Sequence, residues 1–128
     1  MKKKILIVSA NYYSEISKKL LNSAKKTLGN KFILKIINVP GAFEIPTVIS
    51  RYIKNYHGAI ALGCIIKGQT PHFNLISQAI TNSLIELSVT SKKPIGNGVL
   101  TCLNRKQANQ RYNKGKEAAK AVITIISL

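Results

Sequence analysis

The 128-residue sequence predicts an α/β protein, a three-layer α/β/α sandwich around a four-stranded parallel sheet. Two observations predict it. Short apolar runs rich in Ile and Val alternate with longer segments whose apolar residues recur every three or four positions. Gly and Pro fall singly between these segments, with no repeat, linker or low-complexity tract, so one domain over residues 1–128 is expected.

Residues 4–9, KILIVS, form an apolar run suited to a strand buried on both faces. From 14 to 29, Ile16, Leu20, Leu21, Ala24 and Leu28 trace an amphipathic helix, with Ser14 as its expected N-cap and Gly29 as its stop. KFILKIINV at 31–39 is the second strand. The next helix is expected to start near Glu44, Ile45 and Pro46, since proline is tolerated in a first turn, and to run to about Tyr56. AIALGCII at 59–66 reads as a third strand, 71–90 as a long helix, and PIGNGVLTC at 94–102 as a fourth strand weakened by two glycines. The chain then ends in helix over 104–127, broken near Tyr112 to Gly115.

Strands alternating with helices imply right-handed crossovers and a flavodoxin-like order. In such sheets ligands gather beyond the carboxyl ends of the strands, near the switch in strand order. Three stretches fall there: Asn11 to Tyr13, Val39 to Pro46, and Cys64 to Phe73.

Composition narrows the chemistry. The chain has four Glu and no Asp, which argues against a carboxylate dyad or a magnesium cage. Cys64 and Cys102 lie too far apart for a zinc spacing and are expected to be free, buried thiols, so no metal is expected. No apolar stretch reaches the roughly 18 residues of a membrane span, and the apolar run after the basic head is too short for a signal peptide. A cytoplasmic protein is the expectation. The net charge of +16 invites a nucleic-acid reading, but the lysines are spread in pairs along the chain and only three arginines accompany them. That pattern argues against nucleic acid and for a solvated surface, part of which steers an anionic substrate.

Residue by residue, GCIIKGQTPHF is the most informative stretch. Thr70 and Pro71 form a plausible helix start, where backbone donors and the dipole let Gln69 and Thr70 receive a phosphate. His72 would then sit in the first turn, able to accept and return a proton; a polar surface role is the alternative. His57, before Gly58, needs no role beyond the end of its helix. In VPGAFEIP, Ala42, Phe43 and Glu44 follow a Pro-Gly turn; the carboxylate either favours the helix start or holds polyol hydroxyls. Tyr12 either stacks on a planar ring or caps the core margin. Arg111 and Lys114 flank the helix break, where a cation can turn toward phosphate.

With VPGAFEIP, ALGCIIKGQTPHF, PIGNGVLTC and NKGKEAA in this order and spacing, the chain resembles the lumazine synthase family along essentially its whole length. The resemblance implies condensation of 5-amino-6-(D-ribitylamino)uracil with 3,4-dihydroxy-2-butanone 4-phosphate, without cofactor or metal. By position it implies that Tyr12 stacks on the pyrimidine, that Ala42, Phe43 and Glu44 hold the ribityl chain, and that Cys64, Ile65 and Ile66 read the pyrimidine edge. It further implies Gln69, Thr70 and Arg111 at the phosphate, His72 in proton transfer, and Asn97 on the substrate side of the fourth strand. Pentamers, some forming icosahedral shells, with sites shared between neighbours, are implied as well.

Three departures stand out. Asn97 replaces an aromatic common in the family, Tyr12 replaces a commoner phenylalanine, and the segment from Arg111 to Lys114 is shorter than in many relatives. Two competing readings follow from particular features: an assembly scaffold that has lost catalysis, from the shortened arm, and a basic nucleic-acid-binding module, from the charge.

Overall fold

A computed structural model describes residues 1–68 and 72–128. The predicted alternation is borne out: β1 (Lys3–Ala10), α1 (Ser14–Leu28), β2 (Phe32–Val39), α2 (Ile45–Tyr52), β3 (Gly58–Ile66), α3 (Phe73–Ser91), β4 (Ile95–Cys102), α4 (Arg105–Gln110) and α5 (Lys114–Ile126). The strands form one all-parallel sheet in the order β2-β1-β3-β4.

Burial explains that order. Every residue of β3 is buried, as an inner strand covered on both faces requires, whereas β2 is only partly buried along most of its length and lies at an edge. On one face Ile5, Ile7, Ile60 and Leu62 pack against Ile16 and Leu20 of α1, Ala108 of α4 and Val122 of α5. On the other, Leu6, Val8, Ala61 and Val99 pack against Ile45 and Ile49 of α2 and Ile80 and Leu84 of α3. Helices thus cover both faces, giving the three-layer, flavodoxin-like sandwich. Among the described residues no helix is long and apolar enough to cross a membrane.

Several boundaries differ from the sequence reading. Tyr13, not Ser14, is the N-cap of α1 and makes no side-chain cap. Ser17 instead sends its buried hydroxyl back to the Ala10 carbonyl, tying the helix entry to the end of β1. The second helix is α-helical only over Ile45–Tyr52, flanked by 3-10 turns at Ala42–Glu44 and Ile53–Asn55. Pro46 does lie in its first turn. His72 is the N-cap of α3 rather than a first-turn residue. His57 has a structural role: its Nδ1 accepts the Lys4 N–H at 2.9 Å, and its own N–H returns a bond to the Lys4 carbonyl at 2.9 Å.

Candidate functional site

From β1 the chain moves outward to β2, and from β3 it moves the opposite way to β4, so the strand order switches between β1 and β3. A cavity of about 150 Å³ lies beyond the carboxyl ends of those two strands, where the fold class places ligands. Its lining includes Tyr12, Ala42, Phe43, Cys64, Ile65 and Ile66, six of the residues singled out from sequence. Tyr12 and Phe43 are 67% and 65% exposed, so two exposed aromatic rings stand at the mouth of a wall in which Tyr13, Ala42 and Cys64 to Ile66 are buried.

Glu44 stands beside this cavity. Its Oε1 accepts the Gly41 N–H at 3.0 Å, which fixes the carboxylate over the 3-10 turn. One oxygen is thereby oriented, and the other has acceptor capacity for a hydroxyl.

Tyr13 and Gly41, which fall within the stretches expected at this end of the sheet but had no role assigned from sequence, also line the cavity, as does Ile76, which lies outside those stretches. Tyr13 is buried, meets the Tyr12 ring edge-on at 4.9 Å and carries the Arg105 guanidinium 5.3 Å from its own ring centre. Arg105 is thus a cation-π partner of a wall residue. Burial, then the neighbouring Tyr12 and Cys64, raises the Tyr13 hydroxyl's pKa against the opposing Arg105 charge. The Cys64 thiol is pushed up to about 12, chiefly by burial and then by Cys102, again against Arg105. It is a neutral, apolar surface at physiological pH, suited to a planar ring rather than to nucleophilic attack.

Asn97, Arg111 and Lys114 gather elsewhere, in a cavity of about 350 Å³ beside β4. Thr81 of α3, Thr101 of β4, Asn113, and Glu117 of α5, none foreseen, add to its polar wall. The Asn97 Oδ1 accepts the Val99 N–H at 3.0 Å, satisfying a backbone donor on this edge strand. Burial raises the Cys102 thiol's pKa, against the opposing Arg111 charge. Among the described residues this second cavity holds two cations and one carboxylate at the sheet edge, and shares no lining residue with the first.

His72 stands at the rim of α3, exposed, its carbonyl accepting the Ile76 N–H at 2.9 Å one turn inside the first cavity wall. Gln69 and Thr70, the expected phosphate residues, lie outside the described residues. Among the described residues no group of three His, Cys, Asp or Glu side chains is placed to hold a metal ion.

A profile of the family described as 6,7-dimethyl-8-ribityllumazine synthase matches residues 2–128. The chain belongs to that family. A lumazine synthase of Bartonella bacilliformis is 42% identical over 134 residues, covering 97% of this chain and 88% of its own. Those of Afipia carboxidovorans and Bartonella tribocorum are 39% and 40% identical, covering 98% and 100% of this chain and 85% and 92% of theirs. The lumazine synthase resemblance drawn from four short sequence blocks is borne out along the whole domain, and it makes the protein an enzyme of riboflavin biosynthesis.

Proposed function

We propose that this lumazine synthase condenses 5-amino-6-(D-ribitylamino)uracil with 3,4-dihydroxy-2-butanone 4-phosphate to 6,7-dimethyl-8-ribityllumazine, phosphate and water, at a site completed by a second copy of the chain. The observation that carries this reading is the division of the site residues into two cavities, an aromatic, apolar one at the switch between β1 and β3 and a cationic one at β4.

The apolar cavity takes the uracil. Tyr12 stacks on the pyrimidine, Cys64 to Ile66 face its edge, and the segment Ala42, Phe43 and Glu44 holds the ribityl hydroxyls. The cationic cavity of a neighbouring copy brings Arg111, Lys114 and Asn97 to the phosphorylated ketone, and Gln69 and Thr70 are assigned to its phosphate by their position in the family motif. The 5-amino nitrogen attacks the ketone carbon and water leaves; phosphate is then eliminated, the resulting enol becomes a ketone, and the ribitylamino nitrogen attacks that carbonyl carbon and closes the second ring with loss of a second water. His72 accepts and returns the protons these steps move. Cations held at the leaving phosphate stabilise its charge, and alignment of two bound reactants supplies much of the acceleration. No cofactor or metal takes part, and the setting is cytoplasmic, where two buried thiols remain reduced.

Assembly at least to a pentamer is part of the proposal, with an icosahedral shell of pentamers as a further level. Its support is α3, which buries Ile80 and Leu84 yet leaves Leu75, Ile85 and Val89 at 68%, 61% and 69% exposure. A helix apolar on more than one side calls for a second partner.

Incubation of the purified chain with both substrates tests the reaction. Lumazine fluorescence and stoichiometric phosphate are expected; neither product over hours at saturating substrate would overturn it.

A further inference from the structure

The lysines that the sequence spreads in pairs are brought together in space. Gly115 lets α5 lie close against α1, and a groove of about 880 Å³ opens between the two helices. Lys19 and Lys26 of α1 and Lys116 and Lys120 of α5 line it, with no carboxylate among its described lining residues. The Lys19 Nζ lies 3.4 Å from the neutral Asn109 Oδ1. Asn113 belongs both to this groove and to the cavity of Arg111 and Lys114, so the two cationic surfaces are contiguous.

We propose that this groove is an anion-collecting surface that concentrates the phosphorylated substrate at the Arg111 and Lys114 cavity. The proposal rests on the reaction above for the identity of the anion.

Lys116 and Lys120 follow Lys114 by two and six residues on α5, about 3 and 9 Å along the axis at 1.5 Å per residue. These axial offsets are within the screening length of about 10 Å at 0.1 M salt, and the turn of the helix adds a lateral separation across α5. Four like charges along a low-dielectric wall focus a positive potential that raises the local concentration of an anion at equilibrium, whatever the rate of the later chemistry. Lysine suits this task. Its compact, strongly hydrated ammonium attracts phosphate without the forked, bidentate grip of arginine, so the phosphate product is not retained. Lys114 and Arg111 make the specific contact, and the groove supplies the field around it.

The test compares the wild-type enzyme with two quadruple variants at positions 19, 26, 116 and 120, all Lys→Gln or all Lys→Arg. In the Gln variant the KM for the phosphorylated ketone is expected to rise about tenfold at low salt. That difference closes near 1 M salt, where the screening length is about 3 Å. In the Gln variant the kcat and the KM for the uncharged uracil stay at wild-type values, whereas the Arg variant keeps the wild-type KM and salt dependence for the ketone and is inhibited more strongly by the phosphate product. Binding of inorganic phosphate, followed by phosphorus NMR, gives the same ranking without turnover. A chain that binds phosphate this way but makes no lumazine would therefore refute the reaction and leave the groove standing. Identical salt dependence in the wild type and the Gln variant would overturn the inference, as would an Arg variant as impaired as the Gln one.

Discussion

Gly115 of α5 lies directly against the Leu20 carbonyl of α1, so that a β-carbon at position 115 would fall inside the van der Waals envelope of that oxygen. The same residue is the second of α5, just after the Asn113 and Lys114 that border the cationic cavity. One missing side chain thus sets the distance between two helices, the width of the lysine groove and the placement of Lys114.

Gly115→Ala is expected to destabilise the protein by about 2 kcal/mol or more, because overpacking against backbone exceeds the roughly 1 kcal/mol that alanine gains in a helix. A urea unfolding midpoint checks this. A midpoint equal to that of the wild type would mean that α1 and α5 separate freely and that the close approach is not needed.

Alkaline pH should act through Cys64. Its thiol titrates at about 12 in the folded chain against an ordinary value of 9.0, so in that interval the unfolded chain has lost a proton that the folded chain keeps. Stability from this group is fully present below about pH 9 and is lost as pH rises toward 12. Cys102, also raised by burial, acts in the same direction. Thermal melts of Cys64→Ala should show a shallower decline over this window than the wild type. Equal slopes would remove Cys64 as a source of it.

Division of the site between copies predicts complementation. His72→Ala and Arg111→Ala proteins, each expected to turn over slowly, are mixed in denaturant and refolded together. If each site takes His72 from one copy and Arg111 from its neighbour, random mixing at equal amounts leaves about one quarter of the sites intact. Activity should recover to that level in the mixture. Recovery no greater than the average of the two variants would place both residues in one protomer's own site.

Much of this fold is legible in the sequence because its signals are local. The apolar runs of β1 and β3 and the three-and-four spacing in α1 reflect backbone geometry that each segment carries with it. The boundaries that shifted did so through contacts between segments. Ser14 has the chemistry of a cap, yet the Ser17 hydroxyl bond to the Ala10 carbonyl decides how the chain enters α1. His72 precedes α3 as its N-cap, which no periodicity could reveal because a cap lies outside the repeat.

By itself the sequence determined the strand-helix alternation, the family, and the stretches that bring Tyr12, Ala42, Phe43 and Cys64 to Ile66 to the cavity beyond the carboxyl ends of β1 and β3. Those follow from order along the chain and from the handedness of the crossovers. Tertiary structure alone decided that Tyr13, beneath Tyr12, is a wall of the cavity with Arg105 over its ring. It also decided that Asn97, Arg111 and Lys114 lie apart from the aromatic cavity, and that four scattered lysines share one groove. Spacing in sequence carries no information about which helices will touch, and that depends on a glycine at position 115 meeting a carbonyl at position 20.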